Sequence, residues 1–127
     1  MIELKNKEIP SLALAYLGDS VYEVYIREYL LSKGICHVND LQKEATNFVS
    51  AKNQTKFLNS LVDNNILTEA EITIVTRARN QKSNHKPKNT DIITYKYSTG
   101  FEALIGYLYI NNKERLEEII NIILKED

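Results

Sequence analysis

The sequence predicts an all-α protein. Apolar residues recur at intervals of three and four through most of the chain. No stretch alternates apolar and polar residues over the length of a strand. Helix start and stop signals fall between the apolar runs.

The first run opens at Pro10 and Ser11. Leu14, Leu17, Val21, Val24 and Leu31 then recur at helical spacing until Gly34 ends it, which predicts a helix over 11–33. Two helices follow, over 40–50 and 51–63, almost continuous. Val38, Leu41, Ala45, Phe48 and Val49 mark the first, with Asn39 or Asp40 able to cap it. Phe57, Leu58, Leu61 and Val62 mark the second. Thr68 with Glu71 three residues on is a capping box, so a helix runs over 69–79. The stretch after it contains Pro87 and reads as a loop. The last pair covers 91–111 and 112–125. In the final helix Leu116, Ile119, Ile120 and Ile123 face inward, and Glu114, Glu117, Glu118 and Lys125 face water.

One domain over 1–127 is expected, because 127 residues at 43% hydrophobic content bury one core and not two. No apolar run approaches the roughly 20 residues needed to span a bilayer. The opening "MIELKNKEIP" holds acids and no apolar core, so it does not read as a secretory signal. Cys36 is the single cysteine, so no internal disulfide can form, and a reducing cytoplasm is the expected setting. Cys36, His37 and His85 fall short of the about four ligands a zinc site takes. Glycine-rich phosphate loops, internal repeats and a Ser/His/Asp set are all missing.

The net charge of −1 conceals an asymmetry. Residues 77–90, "RARNQKSNHKPKNT", hold Arg77, Arg79, Lys82, Lys86 and Lys88 and no acid. Taking those five from the 16 basic residues leaves eleven against 17 acids, a balance of −6 for the rest. A basic segment on an acidic body points to an anionic partner; a solvated loop is the plainer reading of the same charges.

Two helices share an oddity. "LAYLGDS" puts Gly18 and Asp19 side by side within an amphipathic helix, where glycine costs about 1 kcal/mol relative to alanine. "STGFEALIGYLYI" puts Glu102 one turn before Gly106 in equally apolar surroundings. Helices crossing at the two glycines would bring Asp19 and Glu102 together. Paired carboxylates repel unless a cation lies between them. Mg²⁺ suits such a site, since it takes oxygen ligands and binds through one or two carboxylates plus substrate phosphate. Plainer roles exist for both acids. Thr99 and Glu102 form a capping-box pattern, and Asp19, Glu23 and Arg27 are spaced for ion pairing along one helix.

The first of these stretches, "LAYLGDSVYEVYIREYLL", resembles the signature helix of the ribonuclease III family, a "LEFLGDSVL"-type run. "STGFEALIGYLYI" resembles that family's second motif, of the type "DxFEALIGA". "VSAKNQ", "RARNQKS" and "PKNTDIITYKYSTGFEALIGYLY" extend the similarity to the Mini-III branch, which lacks a double-stranded-RNA-binding domain. The resemblance covers nearly the whole chain. It implies a ribonuclease III catalytic-domain-like helical bundle and a homodimer that cuts double-stranded RNA with Mg²⁺, for which Mn²⁺ can substitute. Trimming of the large-subunit (23S) ribosomal RNA precursor is the associated task.

Carried across by motif, Asp19 and Glu102 are the metal-binding acids. Ala15 and Thr99 stand where the full-length family has two more acids, as in the Mini-III branch, so water or substrate must complete the coordination. Glu23 and Thr99 fall behind the two ligands in supporting places, with an ion pair to Arg27 as the alternative for Glu23. Tyr16 occupies the place of an aromatic inserted into the partner subunit, against a plain core role. Tyr22, Tyr25 and Tyr29 share one helix face and read as core or interface.

An A-form duplex is met through phosphates and 2′-hydroxyls across its minor groove. Arg77, Arg79, Lys82, Lys86 and Lys88 are the expected phosphate contacts, with Lys52 as a further one. A non-catalytic double-stranded-RNA-binding protein is the second reading, given Ala15 and Thr99. A helical dimer serving only protein partners is the third, and it leaves the basic segment unexplained.

Overall fold

The computed structural model describes residues 8–81 and 91–125, and all regular structure within them is helical. Six helices follow in order: α1 (Ser11–Ser32), α2 (Val38–Val49), α3 (Ala51–Asp63), α4 (Glu69–Arg79), α5 (Ile92–Asn111) and α6 (Lys113–Lys125). Each expected helix is present with boundaries shifted by two residues or fewer. None is long and apolar enough to cross a membrane.

α5 is the central element. It packs on α1, α3, α4 and α6, and α2 closes over α1. Phe101, Ala103, Leu104, Ile105, Gly106 and Leu108 are buried around its circumference, because neighbours cover it on most sides. Its N-cap is Asp91, whose carboxylate accepts from the Thr94 backbone N–H at 2.8 Å. Thr99 therefore lies in mid-helix, and its hydroxyl donates to the Tyr95 carbonyl at 3.0 Å. The capping-box expectation for Thr99 and Glu102 is corrected by this earlier start.

Positive backbone angles end two helices. Gly34 (φ 89°) and Asn65 (φ 55°) close α1 and α3 with the same paired bonds. Ile35 N–H donates to the Leu30 carbonyl and Gly34 N–H to that of Leu31; Ile66 and Asn65 repeat this with Leu61 and Val62. Thr68 and Glu71 form the expected capping box at α4. α2 departs from expectation: it begins at Val38 with His37 as N-cap and no side-chain cap, so Asn39 and Asp40 lie in its first turn.

The apolar stripe of α1 also differs in part. Leu14 and Val21 are buried, but Val24 and Leu31 are exposed, and Tyr22, Ile26 and Leu30 take the core instead. Tyr22 is wholly buried, its ring edge-on to Phe101 at 4.9 Å and its hydroxyl donating to the Phe48 carbonyl at 3.0 Å. That bond satisfies a polar group that would otherwise cost stability in the core. Arg115 of α6 donates to both carboxylate oxygens of Glu71 at 2.9 Å and to the Ile66 carbonyl at 2.7 Å, tying α6 to the start of α4.

α1 and α5 touch backbone to backbone. A Cβ on Gly18 would overlap the Glu102 carbonyl oxygen and come within 2.8 Å of the Gly106 nitrogen. A Cβ on Gly106 would overlap the Leu14 carbonyl oxygen. Both obstacles are backbone, so neither can turn aside. Gly18→Ala should destabilise the fold by about 3 kcal/mol or more through overpacking. Gly34→Ala meets open space and should cost only about 1–2 kcal/mol from its left-handed angle. Urea unfolding of the two variants checks the order; equal midpoints would contradict a backbone crossing at Gly18.

Candidate active site

The crossing explains where the two acids lie. The Glu102 carbonyl sits over Gly18, and Asp19 is the next residue along α1. The Asp19 and Glu102 side chains consequently meet in hydrogen-bonding contact. Asp19 is exposed, while Glu102 is half-buried beneath it. Among the described residues, neither carboxylate has a basic partner. Glu23 lies one turn beyond Asp19 and makes the expected ion pair with Arg27 at 3.0 Å. The stripe that would have neutralised Asp19 stops at Glu23.

Burial raises the pKa of Glu102 first, and the charge of Asp19 and the bond to it raise it further. Glu23 adds to the effect, and a hydrogen bond from Gln54 offsets only part of it. The carboxyl is pushed up to about 8. A pair of hard oxygen donors held together against their own repulsion fits a divalent cation such as Mg²⁺ or Mn²⁺. No group of three or more His, Cys, Asp or Glu side chains with metal-binding geometry occurs among the described residues. The chain thus offers Asp19 and Glu102, and water or phosphate oxygens would fill the remaining positions.

The other expected residues fall in three places. Tyr16 is 84% exposed on α1, which corrects the core alternative for it. One turn earlier Leu12 is exposed too, and it lines a crevice with Ile92, Tyr95 and Thr99 of α5. Thr99 is buried and spends its hydroxyl on Tyr95, so no bond links it to the acids. Lys52 is exposed on α3, beside an open groove shared with Lys56, Asn59 and Thr94. Arg77 is exposed at the end of α4, and the Arg79 guanidinium lies 5.2 Å from the centre of the Tyr97 ring. Lys82, Lys86 and Lys88 lie outside the described residues.

Gln54 was not anticipated. It is 2% exposed, and its Nε2 donates to Glu102 Oε2 at 3.4 Å and to the Val49 carbonyl at 3.2 Å. A signal did exist. Gln54 precedes Phe57, Leu58 and Leu61 by three, four and seven residues, so it is an amide on the apolar face of α3.

The Glu102 shift sets a dependence of stability on pH. Without metal the folded chain holds this proton up to about pH 8, whereas the ordinary value is 4.5. The folded state binds more protons across that window, so this stabilising contribution is complete below it and is lost as the pH rises through about 8. Glu102→Gln, which cannot ionise, should be more stable than the native chain in EDTA at pH 8.5, by on the order of a few kcal/mol, and nearly equal to it at pH 4. Thermal melts at the two pH values check this; a difference independent of pH would contradict it.

Residues 12–113 match the Ribonuclease III domain family. The chain is 47% identical over 121 residues to the Mini-ribonuclease 3 of Enterococcus faecalis, covering 94% of this chain and 92% of that one. It is 46% identical over 114 residues to the Mini-ribonuclease 3 of Streptococcus pneumoniae, covering 89% of each. A crystal structure of a Fusobacterium nucleatum protein superposes with a TM-score of 0.84 at 33% identity, over 97% of this chain and 99% of that one. With the motif acids brought together at a glycine crossing, and likeness extending over almost the full length of these relatives, the chain belongs to the ribonuclease III family, among its Mini-ribonuclease 3 members.

Proposed function

We propose that this ribonuclease III family endoribonuclease cleaves double-stranded RNA with a divalent cation, Mg²⁺ or Mn²⁺, held by Asp19 and Glu102. The observation that carries the reading is the meeting of these two carboxyls without a basic partner among the described residues. A cation bound there supplies an activated water and offsets charge on the scissile phosphate. Asp19, exposed at the surface, presents the ligand nearest the substrate. Glu102, less exposed, would be the inner of the two carboxylates that hold the cation. The Glu23–Arg27 pair keeps a third negative charge from adding fully to the site.

The RNA is gripped through its phosphates. Arg77 and Arg79 at the end of α4 lead into the basic stretch that continues with Lys82, Lys86 and Lys88. Lys52 offers a further cation on α3, two residues from Gln54. These contacts fix position on a duplex without reading its sequence. The substrate in the cell is the large-subunit (23S) ribosomal RNA precursor in the cytoplasm, a reading supported by the likeness to Mini-ribonuclease 3 proteins. Mapping 23S ends in cells lacking the chain tests it: mature ends throughout would overturn it.

A homodimer fits the exposed face of α1. Tyr16 and Leu12 lie one turn apart, and the crevice beside Leu12 runs into Ile92 and Tyr95 of α5. Large exposed apolar side chains gathered in one patch are the mark of an interaction surface. Replacing Tyr16 with glutamate should turn the dimer into a monomer in sedimentation at micromolar concentration. A native chain that already sediments as a monomer would remove the dimer from the account.

Asp19→Asn and Glu102→Gln should each lower Mg²⁺-dependent duplex cleavage by at least about a hundredfold, as expected for loss of a group that stabilises charge in the transition state. Both should still bind duplex RNA in EDTA. In that binding assay, Arg77→Ala with Lys82→Ala should weaken affinity for all duplexes alike and lessen its dependence on salt by about one unit of log–log slope per lost phosphate contact. Near-native cleavage by either acid variant refutes the metal pair. RNA binding by a native chain that cannot cleave with any divalent cation favours the non-catalytic reading.

A further inference from the structure

We propose that Gln54 is a positioning residue for Glu102, holding that carboxylate ready for the cation from the first turn of a third helix. The inference rests on the reading of Asp19 and Glu102 as a metal pair. Gln54 is almost wholly buried, so its amide has to find partners within the protein. Nε2 carries two protons and meets two acceptors, the Val49 carbonyl at 3.2 Å and Glu102 Oε2 at 3.4 Å. This fixes which way the amide points, because the flipped side chain would set Oε1 against the Val49 carbonyl oxygen, which only accepts. One amide therefore joins the end of α2 to the metal-binding acid on α5.

The joint between α2 and α3 does not need Gln54 for its own closure. Ser50 caps α3 by accepting from the Asn53 backbone N–H at 3.2 Å and from Asn53 Nδ2 at 2.9 Å. Asn53 Nδ2 also donates to the Thr46 carbonyl at 3.2 Å. The reach of Gln54 to α5 is additional to those bonds, and Glu102 is where it leads. A neutral donor is the right chemistry there. A lysine or arginine at this position would cancel the charge that attracts the cation. An amide orients the carboxylate without neutralising it, as the hydrogen-bond partners behind metal ligands commonly do. A carboxylate pinned at one oxygen also has less torsional freedom to lose when a cation binds.

The test is Mn²⁺ binding to the full chain without RNA, followed by electron paramagnetic resonance, with melting temperatures measured alongside. Gln54→Met keeps the length of the side chain and removes the donor. Gln54→Asn keeps an amide near Val49 but falls one methylene short of Glu102. Each should weaken Mn²⁺ binding by roughly tenfold or more, and Gln54→Asn should melt closer to the native chain. Native Mn²⁺ affinity in a folded Gln54 variant, with only the melting temperature lowered, would show a joint clamp and overturn the proposal. If Gln54→Met does not fold, Gln54→Asn decides; if neither folds, the role is structural and the proposal fails. Asp19→Asn is measured in parallel. Unchanged Mn²⁺ affinity there would bring down the metal pair itself, whereas its loss beside native affinity in the Gln54 variants would bring down this inference alone.

Discussion

Where α1 crosses α5, no side chain separates the two backbones. Gly18 lies against the Glu102 carbonyl and Gly106 against the Leu14 carbonyl, each with no room for a Cβ. Glycine within a helix costs about 1 kcal/mol relative to alanine, and this chain carries that cost twice at one point of contact. The return is a short distance between the helix axes. On one side of the crossing it lets Tyr22 pack edge-on to Phe101 in the main core. On the other it brings Asp19 up to Glu102. Core and site therefore share one geometric cause.

Among the described residues, no positive charge lies against the two acids. Glu23 is paired with Arg27, but no cation among the described residues reaches Asp19 or Glu102. The surroundings also explain why the acid set is small. Ala15, where the longer family proteins have a glutamate, is buried in a small cluster with Leu14, Ala78 and Ala103. Thr99, where they have an aspartate, is buried and bonded back to Tyr95. At both positions packing or a local hydrogen bond stands in place of a further carboxylate, which leaves Asp19 and Glu102 as the acids that meet at the crossing.

The outer helices hold this crossing by a few directed bonds. Tyr22 ties α1 to the end of α2 through the Phe48 carbonyl. The Thr55 hydroxyl on α3 donates to the Thr94 carbonyl in the first turn of α5 at 3.0 Å. Arg115 secures α6 to α4 through Glu71. Burial alone would raise the pKa of Glu71, but the bonds from Arg115 and Thr68 outweigh it and hold the carboxyl below its usual range. The two glutamates, Glu71 and Glu102, thus differ in kind. Glu71 is matched by Arg115 and serves the frame, whereas no cation among the described residues matches Glu102.

The sequence by itself determined the helices, most of the core and the two acids. Helical spacing is a local property, and Thr68 with Glu71, Gly34 and the Leu116–Ile123 stripe could be read without neighbours because their partners lie within a few residues. The glycines at 18 and 106 stood out as local faults with no local reason, which is why the crossing was legible. What stayed hidden depends on which element covers which. Val24 and Leu31 share the helical spacing of Val21, yet both stay exposed. Thr99 and Glu102 match a capping box, but Asp91 starts the helix two turns sooner. Tyr16 could be core or surface until its face was seen uncovered. Gln54 is 48 residues from Glu102 in sequence, and spacing within one helix says nothing about an acid on another. Only the packing of α3 against α5 brought that amide to the carboxylate, since a bond between distant segments exists once the chain has folded and leaves no period in the sequence.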